Sequence, residues 1–353
     1  MKKNAAMVLG LMLTVTLTAC GGGAASQGGN ESASNPPKAE TKSEVKTIKI
    51  GHGASESYHM HRAWLNFKET LESAGNFAVE IYPSSQFGND AEMIENVQTG
   101  DLTMATPPSS FLTDQAPEMA LIELPYVFPS RDAAVDTLKG EWGQKQLAEL
   151  NDDGLYGLGY LENGLRHLTN SKLPVRKPED LSGLKLRTMQ VPAHVYLWND
   201  LGASAEGAPF AELYNNLSTG RFDGQENPIA HIYAQRFYEV QSYLTLTGHV
   251  YTGYVPVMNM DFWSGLSGEE QQQVQEAFNQ AFEYQLQLIA EEESKQLEEI
   301  AGHAQFKTEI IELTDAEKQA FIEAAQPTLD HYREELGAEA FDAFKQAIET
   351  AGK

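Results

Sequence analysis

The apolar positions between residues 45 and 105 follow the periods of strands and helices in turn. Apolar residues two apart predict strands at 47–50 and 77–81. Between them the apolar spacing is four, three and four, which predicts a helix whose single stripe is Met60, Trp64, Phe67 and Leu71. A capping pattern at Asn89–Glu92 begins a second helix, and a third strand follows at 102–105. This alternation indicates a largely parallel sheet covered by helices.

Two segments 120 residues apart align without gaps, and both read as a helix, a glycine stop and a strand. They are EMIENVQTGDL at 92–102 and ELYNNLSTGRF at 212–222. One short match of a common pattern is weak evidence of a repeat. It still suggests two lobes built alike, and the cleft between two domains is a frequent ligand site.

The C-terminal third has the apolar period of helices. Ser267–Glu270 is a capping box, and the stripe that follows it is Val274, Phe278, Phe282, Leu286 and Ile289. Without a breaker this helix extends to about Ile300, a length of roughly 45 Å. We therefore expect a strut that lies along both lobes. A further helix begins at Thr314, and a last one covers 341–348.

The N-terminus has the pattern of a bacterial lipoprotein signal. Two lysines precede an apolar run at 5–19, which is shorter than the roughly twenty residues that span a membrane. The run ends in Leu-Thr-Ala-Cys, which resembles a lipobox. An ordinary signal peptide with a chance cysteine is the alternative. We expect residues 1–19 to be removed and Cys20, the only cysteine, to carry a lipid that anchors the protein outside the cytoplasm.

Residues 20–44 are rich in Gly, Ser, Ala, Asn and Pro and contain almost no apolar side chain to bury. This composition predicts a flexible tether. The 353 residues suffice for about two domains of ordinary size. The formal net charge of −25 argues against nucleic acid or an anionic membrane surface as the working partner. A small anion remains compatible with it, because a local pair of arginines can oppose the global field.

No catalytic pattern is present, since the chain has no Gly-x-Ser-x-Gly elbow, no Walker loop and no His-Glu-x-x-His. We therefore do not expect an enzyme or a cofactor. The histidines His52, His59 and His61 raise the possibility of a metal site. However, in a helix over 58–73 His59 and His61 would point about 200° apart. No metal site is expected.

Two arginines follow predicted strands. Arg166 comes just after the Gly-rich segment YGLGYLENG, and Arg187 ends the strand at 184–187. Ligands bind beyond the carboxyl ends of parallel strands, and guanidinium pairs bidentately with carboxylate. Either arginine could equally form a surface ion pair. The segment GRFDGQENP at 220–228 is dense in polar groups, which is typical of a solvated turn or of a binding site.

Three segments around these residues resemble the signature of one family. They are GLRHLTNSKLPVRKPEDLSGLKLRTMQ at 164–190, LGASAEGAPFAELYNNLSTGRFDGQENP at 201–228 and FYEVQSYLTLTGH at 237–249. The family is the solute-binding component of tripartite ATP-independent periplasmic (TRAP) transporters, of the dicarboxylate-binding type. The resemblance extends from Thr47 to about Lys345 and includes SSQFGNDAEMIE and LIELPYVF.

The resemblance implies an α/β, two-lobed periplasmic-binding-protein fold with hinge strands and a long helix that spans both lobes. We expect the first lobe to comprise 45–163 and 252–290, and the second 164–251 and 291–353. Such a receptor closes on a small organic acid and delivers it to TRAP membrane permease subunits. Dicarboxylates, 2-oxo acids and sugar acids all fit this description.

The family's ligand-binding positions fall on six residues of this chain. By motif, Arg187 grips the ligand carboxylate, Arg166 is the second arginine and Asn227 donates its amide. Further cleft-lining positions fall on Phe210, which forms an apolar wall, Gln190 and His52. On this interpretation GRFDGQENP is an inter-lobe strand and turn, in which Asp223, Gln225 and Glu226 satisfy backbone and hinge groups.

The chain departs from the family's sialic-acid binders at 106–109, where Thr-Pro-Pro-Ser replaces their glutamate and arginine. This argues against a sialic-acid ligand. Three alternatives stay open. They are a metal-binding lipoprotein that uses His52 and His59, an extracytoplasmic enzyme acting on a sugar acid, and a receptor that feeds a signalling protein instead of a permease.

Overall fold

The computed structural model describes residues 45–351, so the predicted signal segment, Cys20 and the tether lie outside the described residues. The strands of this part of the chain are β1 (Lys46–Gly51), β2 (Phe77–Tyr82), β3 (Met104–Ala105), β4 (Leu155–Gly157), β5 (Leu161–Leu165), β6 (His167–Asn170), β7 (Lys185–Thr188), β8 (Ser204–Gly207), β9 (Gly224–Asn227), β10 (Tyr243–Thr245), β11 (Tyr251–Tyr254), β12 (Val257–Asn259) and β13 (Glu309–Ile311). The helices are α1 (His59–Glu72), α2 (Asp90–Thr99), α3 (Arg131–Lys139), α4 (Glu141–Glu149), α5 (Pro192–Asp200), α6 (Leu213–Ser218), α7 (Ile229–Ala234), α8 (Met260–Ser264), α9 (Gly268–Gly302), α10 (Asp315–Ala324), α11 (Gln326–Leu336) and α12 (Ala338–Ala351).

The strands form two mixed sheets, each the centre of one lobe. The first lobe holds a five-stranded sheet in the order β2-β1-β3-β12-β4, and the second holds a six-stranded sheet in the order β13-β10-β6-β9-β7-β8. The antiparallel pair β5 and β11 is separate from both and joins them as a hinge. The α/β, two-lobed fold class is therefore confirmed.

The local predictions for the first lobe are confirmed. β1 and β2 are parallel neighbours, with Ile48 opposite Val79. The four apolar residues of the α1 stripe are all buried. Asn89 caps α2 in a full capping box with Glu92. The third predicted strand is shorter than expected, because only Met104 and Ala105 pair with β1 and β12.

Helix α9 is the predicted strut. It has 35 residues, which corresponds to about 52 Å, and Ser267 caps it with Glu270. Val274, Phe278 and Phe282 pack in the core cluster of the first lobe, with Trp64. Ile300, near the other end, packs in a cluster of the second lobe. One helix therefore contacts both lobes.

The lobe boundaries expected from the sequence stay a prediction. The strands of the five-stranded sheet come from 46–157 and 257–259, and those of the six-stranded sheet from 167–245 and 309–311. Helix α12 falls in the range assigned to the second lobe, and Phe344 of this helix packs against Trp142 of α4, with ring centroids 4.6 Å apart. No helix within residues 45–351 combines the length and apolar character needed to cross a membrane.

Gly224 allows β9 to approach β6 closely. A Cβ at this position would lie 2.3 Å from the carbonyl oxygen of Thr169. Gly224→Ala should therefore force the two backbones apart and lower the free energy of unfolding by about 1–3 kcal/mol. Gly302→Ala is the matched control, because a Cβ there meets no atom within 4 Å. Denaturant melts of both variants check this, and equal stabilities would contradict it.

Candidate functional site

A cavity of about 310 Å³ lies between the two sheets, at the lower end of the range typical of small-molecule sites. Five of the six predicted residues line it: Arg166, Arg187, Gln190, Phe210 and Asn227. His52 does not. It is fully buried, and its Nε2 lies 3.1 Å from Nδ1 of His61. The structure thus brings together the residues expected from the second lobe and leaves out the one expected from the first. Their contact with a ligand stays a prediction.

Arg187 is a buried cation that forms no ion pair within residues 45–351. It lies on β7 and is 2% exposed. Its Nε and Nη2 both donate to the carbonyl oxygen of Ala208, at 2.8 and 2.5 Å, while Nη1 has no hydrogen-bond partner in the described residues. Burial lowers the pKa of Arg187 to about 9, although the charge of Glu226 opposes this shift. The guanidinium lies 5.8 Å from the ring centroid of Phe210, within reach of a cation–π interaction.

Arg166, by contrast, is already paired. Its Nε lies 2.5 Å from Oε2 of Glu226, and its Nη2 donates to Oε1 of Glu226 at 2.9 Å. Both side chains are fully buried. Nη2 also donates to Oδ1 of Asn227 at 3.2 Å, so Arg166 orients the amide of that residue. Burial lowers the pKa of Arg166, and the attraction of Glu226 outweighs burial and raises it overall.

The polar density of GRFDGQENP is explained by internal hydrogen bonds. All four residues of β9 are buried. Gln225 donates from Nε2 to Oγ1 of Thr169 at 2.9 Å and accepts from Nδ2 of Asn227, while Asp223 accepts from the backbone N–H of Lys185 at 3.0 Å. The expectation of an inter-lobe strand is wrong. β9 pairs with β6 and β7 in the middle of the second sheet, and β5 and β11 form the hinge.

A buried network of acids and histidines adjoins Arg166, and the sequence analysis missed it. Nδ1 of His194 lies 3.5 Å from Oε1 of Glu226, and Nε2 of His249 lies 3.0 Å from its Oε2. On its other side, Nε2 of His194 lies 3.0 Å from Oε2 of Glu123. Glu123 follows Leu121 and Ile122, which pack in a core cluster with Met93 and Leu102 of the first lobe. His194 lies on α5 in the second lobe, so its contact with Glu123 joins the two lobes.

The charges of this network shift its pKa values in opposite directions. Burial lowers the pKa of His194, but the charges of Glu226 and Glu123 and the hydrogen bond to Glu226 raise it above its usual value. Burial raises the pKa of Glu226, but Arg166 and His194 lower it well below its usual range. Burial lowers the pKa of His249. The network therefore favours an ionised Glu226 beside a readily protonated His194.

The first lobe and the hinge also contribute to the lining. Asn163 of β5 accepts a hydrogen bond from the hydroxyl of Tyr58 at 2.7 Å. His231 lies 2.9 Å from the hydroxyl oxygen of Tyr254 and stacks on Tyr58, with ring centroids 3.9 Å apart. Burial holds the pKa of His231 well below its usual value, so its ring is a neutral wall. Asp90, the first residue of α2, lines the cavity from the first lobe.

His52, His59 and His61 do not come together as one group. As expected for a helix, His59 and His61 have different neighbours: Nδ1 of His59 lies 3.0 Å from Nε2 of Gln285, while His61 faces His52. Burial lowers the pKa of His52 and of His59 to about 3. Within residues 45–351, no group of three or more His, Cys, Asp or Glu side chains is arranged to hold a metal ion.

Residues 50–335 match the family model described as bacterial extracellular solute-binding protein, family 7. The 2,3-diketo-L-gulonate-binding periplasmic protein of Escherichia coli K12 is 34% identical over 282 residues, which is 79% of this chain and 84% of that protein.

Two crystal structures of similar proteins have the same fold. The sugar acid binding protein of Advenella mimigardefordensis, in complex with galactonate, superposes with a TM-score of 0.83 at 29% identity, covering 87% of this chain and 99% of that one. A TRAP periplasmic solute binding protein of Shewanella oneidensis with bound succinate has a TM-score of 0.82 at 28% identity, covering 88% and 100%.

His194 should stabilise the protein in a pH-dependent way. Because its pKa is raised in the folded state, its contribution is fully present below its ordinary pKa of about 6.5 and is lost as the pH rises through the folded value. His194→Asn should lower the free energy of unfolding by about 3–5 kcal/mol at pH 6, since it leaves two buried carboxylates without a shared partner. Denaturant melts at pH 6, 7.5 and 9 should show that the difference in unfolding free energy between His194→Asn and the wild type becomes smaller as the pH rises.

His331→Asn, at a half-exposed position, is the control and should show a small gap throughout. A difference in stability between His194→Asn and the wild type that stays constant or widens between pH 6 and 9 would contradict the raised pKa of His194.

Proposed function

Because the chain belongs to family 7 of the bacterial extracellular solute-binding proteins, we propose that it captures a small organic acid outside the cytoplasm and delivers it to a TRAP transporter permease. The similar proteins bind 2,3-diketo-L-gulonate, galactonate and succinate. All three ligands are carboxylates. The proposed ligand class is therefore a dicarboxylate, a 2-oxo acid or a sugar acid.

The unpaired buried charge of Arg187 carries this proposal. Burying an ionised group without a counter-charge is unfavourable, and proteins compensate such groups with partners or ligands. Arg187 has no ion pair among residues 45–351, and its Nη1 is free of hydrogen bonds there. A ligand carboxylate in the cavity would supply both the charge and the acceptor. Burial lowers the pKa of Arg187 to about 9, and a ligand carboxylate beside it would favour the charged form.

The neighbouring residues suit supporting roles around such a carboxylate. Arg166 is held by Glu226 and has one free nitrogen, Nη1, which could add a single hydrogen bond to the ligand without a change in its ion pair. Phe210 offers an apolar face beside Arg187. Asn227 and Gln190 provide amide groups at the lining. We place these five residues in the ligand site and leave His52 out.

Closure of the two lobes around the ligand would follow from the hinge. β5 and β11 run between the sheets, and the residues that flank the cavity belong to different lobes. A rotation about this pair is the usual way in which such receptors enclose a solute and exclude water from it. The contact between Glu123 and His194 would then form part of the closed state.

The lipid anchor at Cys20 is the second part of the proposal. It rests on the apolar segment at 5–19 and the Leu-Thr-Ala-Cys sequence that ends it. The tether at 20–44 would let the receptor reach a permease in the same membrane. The metal-binding and enzymatic alternatives have less support, because no group of three or more potential metal ligands is arranged to hold an ion within residues 45–351, and the similar proteins are named as solute-binding proteins.

Arg187→Ala should lower the affinity for an organic acid at least about tenfold, since it removes the counter-charge of the carboxylate. The measurement is calorimetric titration of the purified protein with galactonate, 2,3-diketo-L-gulonate and succinate, with zinc and a neutral sugar as negative probes. Arg176→Ala is the matched control, because Arg176 is an exposed arginine that pairs with Glu317 and does not line the cavity. Unchanged affinity in Arg187→Ala would refute the site, and binding of none of the acids would refute the function.

Cys20→Ser should abolish membrane attachment without weakening ligand binding, because the cysteine carries the proposed lipid and is not one of the residues that line the cavity. Cells that express the two forms can be labelled with a fatty-acid analogue and separated by detergent phase partitioning. The wild type should incorporate label and enter the detergent phase, whereas the variant should do neither. An unlabelled wild type in the aqueous phase would contradict the anchor and leave the solute-binding proposal intact.

A further inference from the structure

Gln285 of α9 is a fully buried amide that bonds to the backbone of the hinge strand β5. Its Oε1 accepts from the N–H of Glu162 at 2.9 Å, and its Nε2 donates to the carbonyl oxygen of the same residue at 2.9 Å. Within residues 45–351, β5 pairs with one strand only, β11. The amide therefore takes the place of a second neighbouring strand and satisfies buried backbone groups of the hinge.

A histidine of the first lobe fixes the orientation of this amide. Nε2 of Gln285 lies 3.0 Å from Nδ1 of His59 on α1. Burial lowers the pKa of His59 to about 3, so its ring is neutral and Nδ1 can accept the second N–H of the amide. A flipped amide would place its NH₂ group against the N–H of Glu162. The hinge strand is therefore fastened to α9 and α1 in one geometry.

Glu162 is held in the first lobe by its side chain as well. Its buried carboxylate lies 2.6 Å from Nε of Arg131 on α3. Three helices, α1, α3 and α9, thus converge on one residue of the hinge. Further along, Arg166 is anchored in the second lobe through its buried pair with Glu226. The chain is therefore held on both sides of residues 163–165.

The segment between the two anchors is the irregular part of the hinge. Gly253 of β11 pairs with Glu162. The residue before it, Thr252, pairs with Gly164, so Asn163 is left between them as a bulge. Gly164 has a φ of +113°, which residues with a side chain rarely adopt. Because Asn163 also lines the ligand cavity, the backbone can turn at a point beside the proposed ligand.

We propose that Gln285 is a positioning residue for lobe closure, because it holds the hinge strand against α9 up to Glu162 and thereby confines the rotation to residues 163–165. Without the amide, the strand would separate from the helix, and the ligand-free protein would sample a wider range of lobe orientations. Closing would then cost more conformational entropy, so the apparent affinity would fall. This inference rests on the proposed function and names a residue that guides closure without lining the ligand cavity.

Gln285→Met tests this role, because methionine has a similar length and cannot form these hydrogen bonds. Gln275→Met is the matched control, since Gln275 lies on the same helix and donates at 3.1 Å to the carbonyl oxygen of Leu158, which comes before the hinge strand. Both variants are made in the protein with Cys20→Ser, which removes the only cysteine. They are compared at a temperature at which circular dichroism shows both to be folded.

The first readout is the distance between the lobes without ligand. Spin labels at Asp152→Cys and Lys177→Cys, exposed positions in the first and the second lobe, report it by double electron–electron resonance. Gln285→Met should give a distance distribution at least about twofold broader than that of the control. The backbone N–H of Glu162 should also exchange with solvent at least about tenfold faster, because its acceptor is gone.

The second readout is calorimetric titration of the unlabelled variants with galactonate, 2,3-diketo-L-gulonate and succinate. Any acid that the wild type binds should bind to Gln285→Met about three- to tenfold more weakly than to Gln275→Met, because less of the protein is ready to close.

The outcomes separate this inference from the proposed function. A distance distribution as narrow as that of Gln275→Met, or an affinity equal to it, overturns the role of Gln285 and leaves the organic-acid receptor in place. If the wild type binds none of the acids, the proposed function fails, and the ligand-free distances alone then decide whether Gln285 confines the lobes.

Discussion

The buried ion pair between Arg166 and Glu226 organises the site. Two fully desolvated charges are stable together only when their geometry is good and their remaining polar atoms are satisfied. Here Arg166 reaches Glu226 through three hydrogen bonds, two to the carboxylate and one to the backbone carbonyl. The pair connects the end of the hinge strand β5 to the central strand β9. It also orients Asn227 and anchors two histidines, so most of the polar site is fixed before any ligand arrives.

The pairing of Arg166 with Glu226 also explains why the two arginines differ, since Arg187 is left without a counter-charge among the described residues. Two arginines face the same cavity, and neutralising one of them leaves the other as the only strong attraction for an anion. A cavity with two free cations would suit two carboxylates equally well, whereas in this one only Arg187 lacks an ion pair within residues 45–351. The asymmetry arises from one glutamate in the sheet, not from the residues that touch the cavity. The number of unpaired cations at the cavity is therefore set by Glu226, a residue that pairs with Arg166 but is not among those that line the cavity.

The sequence predicted the elements that depend on the spacing of residues close together in the chain. It missed the contacts that depend on packing between distant segments. The α1 stripe, the capping boxes of α2 and α9 and the pairing of β1 with β2 follow from patterns within a few residues, and the structure has them. The place of β9 does not follow from such patterns, because its neighbours β6 and β7 lie far along the chain. The polar sequence of β9 is compatible both with a strand in the middle of a sheet and with a strand between two lobes.

The candidate site shows the same difference between what local motifs predict and what long-range packing determines. Motifs located Arg166, Arg187 and Asn227, which lie at the ends of strands. His194 and Glu123 belong to segments with no distinctive spacing, and only the docking of one lobe on the other brings them 3.0 Å apart. His52 lies next to Gly53, which does line the cavity, but its side chain turns into the core beside His61. The family motif does not distinguish whether His52 or its neighbour Gly53 lines the cavity.

The long helix α9 has a mechanical consequence for the motion of the lobes. Its first half is packed in the core of the first lobe, and Ile300 near its end is packed in the second. Because both lobes pack against this one helix, they can rotate relative to each other only if the helix bends or if its contacts with one lobe shift. Helices bend smoothly by lengthening hydrogen bonds on one side, so the deformation is spread over several turns. Bending of α9 would therefore oppose the proposed rotation of the lobes, together with the hinge strands β5 and β11.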